Sequence, residues 1–115
     1  MNPGQTWEYQ GCTVWEGLKP GETKRLQYFF VVSKEGEKKF TYCVWAERTN
    51  WLNRIGSEKG TDEELLTRAV AIMREKGIHR VKEKILQGDF TNVVLKLQGE
   101  TSEEIPLDSL EEKLL

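Results

Sequence analysis

Two periods of hydrophobic recurrence divide this chain. Between residues 7 and 46 the period is two. Leu26, Tyr28, Phe30 and Val32 share one face of an extended segment, and Arg25, Gln27, Phe29, Val31 and Ser33 share the other. After the Gly- and Lys-rich turn KEGEKK the alternation resumes, with Phe40, Tyr42, Val44 and Ala46 set against Thr41, Cys43 and Trp45. This predicts a β-hairpin over about 25–47. Upstream, Trp7 and Tyr9 are followed by Cys12 and Val14, so the apolar parity slips by one across Gly11. A β-bulge at Gly11 would keep one continuous buried face. Pro20-Gly21 then suits a type II turn, and the result is a three-stranded antiparallel meander.

From residue 61 the period becomes helical. Thr61 and Glu64 fit a capping box, and Leu65, Leu66, Ala69, Val70, Ile72 and Met73 form a broad apolar stripe. Gly77 is placed as a C′ stop with Ile78 closing on Met73, which predicts a helix over 62–76. The stretch IHRVKEKILQGDF fits two templates. Ile78, Val81 and Ile85 align on a helix, whereas a strand puts Val81, Glu83 and Ile85 together. The glycine stop and the Gly88-Asp89 turn signal favour a strand over 78–87, hairpinned to NVVLKLQ. Asn50 can cap a helical turn through Trp51, Leu52 and Ile55. EEIPL reads as an edge strand that tolerates Pro106, and Asp108 or Ser109 starts a last helical turn. The expected fold is therefore α+β: an antiparallel β-meander packed against one main amphipathic helix, then a β-hairpin and a short C-terminal helix, in a single domain spanning 1–115.

Composition is consistent with that picture and narrows the chemistry. The 115 residues are 37% hydrophobic and 31% charged with a net charge of −2, which suits one folded core. Residues 1–60 carry 9 basic against 7 acidic side chains and residues 61–115 carry 8 against 12, so charge alone announces no nucleic-acid partner. The N-terminus has no basic and apolar leader, and no apolar run approaches ~18 residues. A cytoplasmic protein without a membrane partner, its thiols reduced, is expected.

Catalytic chemistry finds little footing. Cys12 and Cys43 lack metal-ligand spacing, and one histidine, His79, cannot complete a metal set. No Gly-rich phosphate loop occurs, so no metal and no cofactor is expected. Cys43 lies mid-strand and reads as a small packed hydrophobe. The paired glutamates at 63–64, 103–104 and 111–112 stand at helix starts or polar turns.

Two surfaces stand out instead. All four tryptophans and most other aromatics fall within the first 51 residues, more than one helix can cover. An aromatic-rich sheet face with Phe29 and Trp45, continued by Arg48 and Trp51, is the expected ligand-binding site of a small non-catalytic module whose partner is a protein or a small ligand. The alternative is the basic segment 74–84, in which Arg74, Lys76, Arg80, Lys82 and Lys84 would hold the phosphates of a single-stranded nucleic acid while nearby aromatics stack its bases.

Overall fold

The computed structural model describes residues 4–18, 25–47, 62–98 and 101–106. They form six strands and one helix: β1 (Gly4–Tyr9), β2 (Cys12–Leu18), β3 (Arg25–Lys34), β4 (Glu37–Glu47), α1 (Asp62–Gln87), β5 (Val93–Gln98) and β6 (Thr101–Pro106). The strands make one sheet whose spatial order follows the chain from β1 to β6. All neighbours are antiparallel except β4 and β5, which run parallel. A parallel neighbour requires a crossover, and α1 lies in it. The class is thus α+β, a mostly antiparallel sheet with one helix packed on it. No helix among the described residues is long and apolar enough to cross a membrane.

Three local expectations are corrected. Gly11 belongs to a turn and not to a bulge: Gln10 (φ 52°) and Gly11 (φ 80°) reverse the chain so that Tyr9 faces Cys12. Positive φ at both central residues is the type I′ pattern whose twist matches paired strands. A two-residue reversal also explains the slipped parity, because Trp7 then sits opposite Val14 on the same face. Glu35 (φ 56°) and Gly36 (φ 83°) repeat the device between β3 and β4. The meander therefore has four strands, and its irregularity lies between Val32 and Ser33, where the register passes from Val32–Phe40 to Ser33–Lys38 and skips Lys39.

The second correction concerns Gly77, which does not end the helix. It is buried in the middle of α1, and a methyl group built there would overlap the ring of Phe30. The glycine is required for close approach of helix to sheet. The third follows from it: segment 78–87 is helical, and the expected hairpin between 78–87 and 93–98 does not form. The stop falls at Gly88 (φ 70°), whose amide donates to Ile85 O at 3.2 Å while that of Asp89 donates to Lys84 O at 3.0 Å. These are the two bonds of a Schellman motif. The Pro20-Gly21 turn, the turn from Asn50, the Thr61 cap and the C-terminal helix all lie outside the described residues.

The core fills the space between α1 and one sheet face. Val14, Phe30, Val32, Phe40, Tyr42 and Val44 meet Ala69, Met73, Val81 and Ile85 there, and each large side chain contributes roughly 1.5–3 kcal/mol by leaving water. α1 lies chiefly across β3 and β4. Three polar anchors pin it. Arg74 Nε and Nη2 reach Oε1 of the fully buried Glu16 at 2.9 and 2.8 Å. Arg80 Nη2 lies 3.1 Å from Glu104 Oε1, and the Tyr42 hydroxyl donates to Glu104 Oε2 at 2.7 Å. The Nζ of fully buried Lys84 meets Asp89 Oδ2 at 3.1 Å and Thr91 Oγ1 at 3.2 Å, and lies 5.1 Å from the centre of the Phe40 ring.

These anchors shift titrations for identifiable reasons. Burial raises the Tyr42 hydroxyl far above its ordinary range, and the Glu104 carboxylate that it serves adds to the rise. Burial works against ionisation of Glu104, but the Arg80 and Tyr42 hydrogen bonds outweigh it and the carboxyl ends below its usual value. The Thr91 hydroxyl and amide, with help from Lys84, hold Asp89 down at about 2. Tyr28 is raised by burial and by the negative charge of Glu16.

Candidate functional site

The alternation that sends Phe30 and Tyr42 toward α1 sends their neighbours to the opposite face of the sheet. Cross-strand register arranges that face in rows. One row runs Gln27, Trp45, Lys96 across β3, β4 and β5. The next runs Gly17, Phe29, Cys43, Val94, Ile105 from β2 to β6, and the third runs Trp15, Val31, Thr41. Of the expected ligand-binding residues, Phe29 and Trp45 stand in this array, half-buried and packed against Cys43 and Val94. Arg48 and Trp51 lie outside the described residues.

Exposure is graded across the face. Cys43 is 0% and Val94 3% exposed at its centre, whereas Trp15 on β2 is 38% and Ile105 on β6 37% exposed. The face is open at its two flanks. Lys96 adds a charge at the Trp45 end, its Nζ 5.0 Å from the ring centroid, an arrangement worth about 0.5–1 kcal/mol at exposed sites. Two buried polar side chains interrupt the apolar surface: the Gln27 amide nitrogen and oxygen and the Thr41 hydroxyl find no hydrogen-bond partner among the described residues. Trp15, Lys96 and Ile105 were missed as members of one surface. Lys96 and Ile105 reach the Trp45 and Phe29 rows only because β5 adds in parallel to β4, whereas Trp15 joins the face from β2 through Val31 and Thr41.

The chemistry once open to the cysteines and the histidine is separated in space. Cys12 packs in the core beneath α1, Cys43 on the opposite face, and β3 runs between their strands. His79 is exposed on α1, across the sheet from Cys43. Among the described residues no group of three or more His, Cys, Asp or Glu is placed to hold a metal ion.

The basic segment is distributed around α1 instead of forming one stripe. Arg74 turns to Glu16, Arg80 to Glu104 and Glu83, and Lys84 inward to Asp89. Lys82 rests its Nζ 5.7 Å from the Tyr9 ring centroid. Lys76 and Lys82 are exposed and border a groove of about 620 Å³ lined also by Ile72, Glu75, Ile78, His79 and Leu95. Comparison with protein-family models, curated proteins and solved structures finds no significant match to this chain.

Proposed function

We propose that the protein is a small non-catalytic binding module that engages its partner through the sheet face opposite α1. The observation that carries this reading is the set of open and half-open apolar side chains there, Trp15, Phe29, Val31, Trp45 and Ile105, on a face not covered by the helix. Large aromatics in partial contact with water carry most of the energy in protein recognition, because each removes a large apolar area at little cost in conformational freedom. Lys96 beside Trp45 supplies a polar rim. The separation of Cys43 from His79 supports a role in binding and not in turnover.

The test is selection of peptide binders against the whole chain, followed by measurement of their affinities for Trp15→Ser and Ile105→Ser variants. Binders that lose affinity about tenfold or more with either variant, the scale of a central aromatic contact, support the reading. Acrylamide quenching in single-tryptophan variants provides the structural control. If Trp15 and Trp45 are both as inaccessible to acrylamide as a fully enclosed indole, or if every selected binder ignores both substitutions, the reading fails.

A further inference from the structure

The five cations of segment 74–84 are sorted by the fold. Arg74, Arg80 and Lys84 each face a carboxylate at 3.1 Å or less. Lys76 and Lys82 face none among the described residues, although the Lys82 Nζ lies 5.7 Å from the centroid of the Tyr9 ring, and both border the groove along α1 together with His79, the chain's single histidine. Ile72, Ile78 and Leu95 provide its apolar lining, each half-buried. One acid, Glu75, shares it. Glu104, the cross-strand partner of Leu95, is already held by Arg80 and Tyr42. The groove thus combines apolar surface with an excess of unneutralised positive charge.

Its size limits the occupant. About 620 Å³ falls within the range of small-molecule sites, roughly 300–1,000 Å³. Two lysines and a histidine are too few to hold a nucleic-acid strand, whose binding grows with the number of phosphates neutralised. They suit one anionic group. We propose that this groove binds a small amphipathic anion, a medium-chain carboxylate, whose hydrocarbon part lies on Ile72, Ile78 and Leu95 and whose carboxylate sits among Lys76, His79 and Lys82. The site is distinct from the aromatic sheet face and does not depend on it.

Titration of the ¹⁵N-labelled whole chain with decanoate below its micelle concentration tests the assignment. Saturable shifts are expected at the amides of residues 72–82 and Leu95, with those of Phe29 and Trp45 unmoved. Shortening the chain should weaken binding by about threefold to fourfold per methylene. Decanol should bind at least tenfold more weakly, because it lacks the charge. Lys76→Ala/Lys82→Ala should lower decanoate affinity about tenfold while leaving decanol unchanged, and Lys76→Glu/Lys82→Glu should abolish it. Absence of saturation, equal binding of decanol and decanoate by the unmodified chain, or shifts centred on Trp45 would each overturn the proposal.

Discussion

The close approach at Gly77 makes a prediction against ordinary helix energetics. Replacing a mid-helix glycine by alanine normally stabilises a helix by about 1 kcal/mol, because glycine loses more backbone freedom on folding. Here the added methyl meets the Phe30 ring, which is 0% exposed and has nowhere to move. Overpacking a filled core costs typically about 1–3 kcal/mol, and an overlap with a fully enclosed ring belongs at the upper end. Gly77→Ala is therefore expected to destabilise by about 1–2 kcal/mol net. Urea unfolding followed by circular dichroism measures this directly, with the midpoint falling and the slope unchanged. The pair Gly77→Ala/Phe30→Leu distinguishes causes: alone, Phe30→Leu opens space and destabilises, but on the alanine background it should restore part of the loss, a coupling of at least about 1 kcal/mol. A Gly77→Ala variant more stable than the parent would refute the contact. A destabilised variant showing no coupling to Phe30 would place the fault in the helix backbone instead.

Other consequences follow from the anchors and turns. Arg74→Ala strands the buried Glu16 carboxylate and should cost about 2–4 kcal/mol, less than a fully buried pair because the arginine side chain is 43% exposed; adding Glu16→Gln should recover part of it in the same unfolding assay. Asp89, held at about 2, and Glu104, also lowered, stabilise the fold above the ordinary carboxyl range. That contribution is lost as pH falls from about 4 toward 2, and Asp89→Asn with Glu104→Gln should flatten the acid limb of a stability–pH curve. Tyr42 and Tyr28 are raised, so their contribution is intact below about pH 10 and declines above it; Tyr42→Phe should reduce that alkaline loss, measured by urea midpoints between pH 9 and 11.5. Gln10→Asn and Glu35→Asn place a residue that tolerates positive φ in the two hairpin turns and should each raise stability by some tenths of a kcal/mol to about 1, read as a higher melting temperature.

Legibility in this chain tracks the distance over which the cause acts. The faces of β3 and β4 follow from local alternation, since a side-chain period of two is a property of the strand itself, and Phe40, Tyr42 and Val44, which it sets on one face, do lie together in the core. The start of the helical stripe near residue 62 was readable for the same reason. Glycine was harder, because several conformations and contacts call for the same missing Cβ. Gly11 resembled a bulge, Gly77 a stop and Gly88 a hairpin turn. Only their neighbours in space show a I′ turn, a contact with Phe30 and a Schellman cap.

The candidate sites divide in the same way. Phe29 and Trp45 were visible as a pair, but Trp15, Lys96 and Ile105 joined them only through strand register. The cations of 74–84 looked like one patch until the helix turned each toward a different partner. By itself, then, the sequence determined the α+β class, the faces of the central strands and the supply of aromatic and basic groups. Tertiary structure decided that α1 runs unbroken to Gln87, that β5 adds in parallel to β4, and which charges remain unneutralised, because pairing between strands and ion pairs across 20 to 60 residues depend on contacts that no local period encodes.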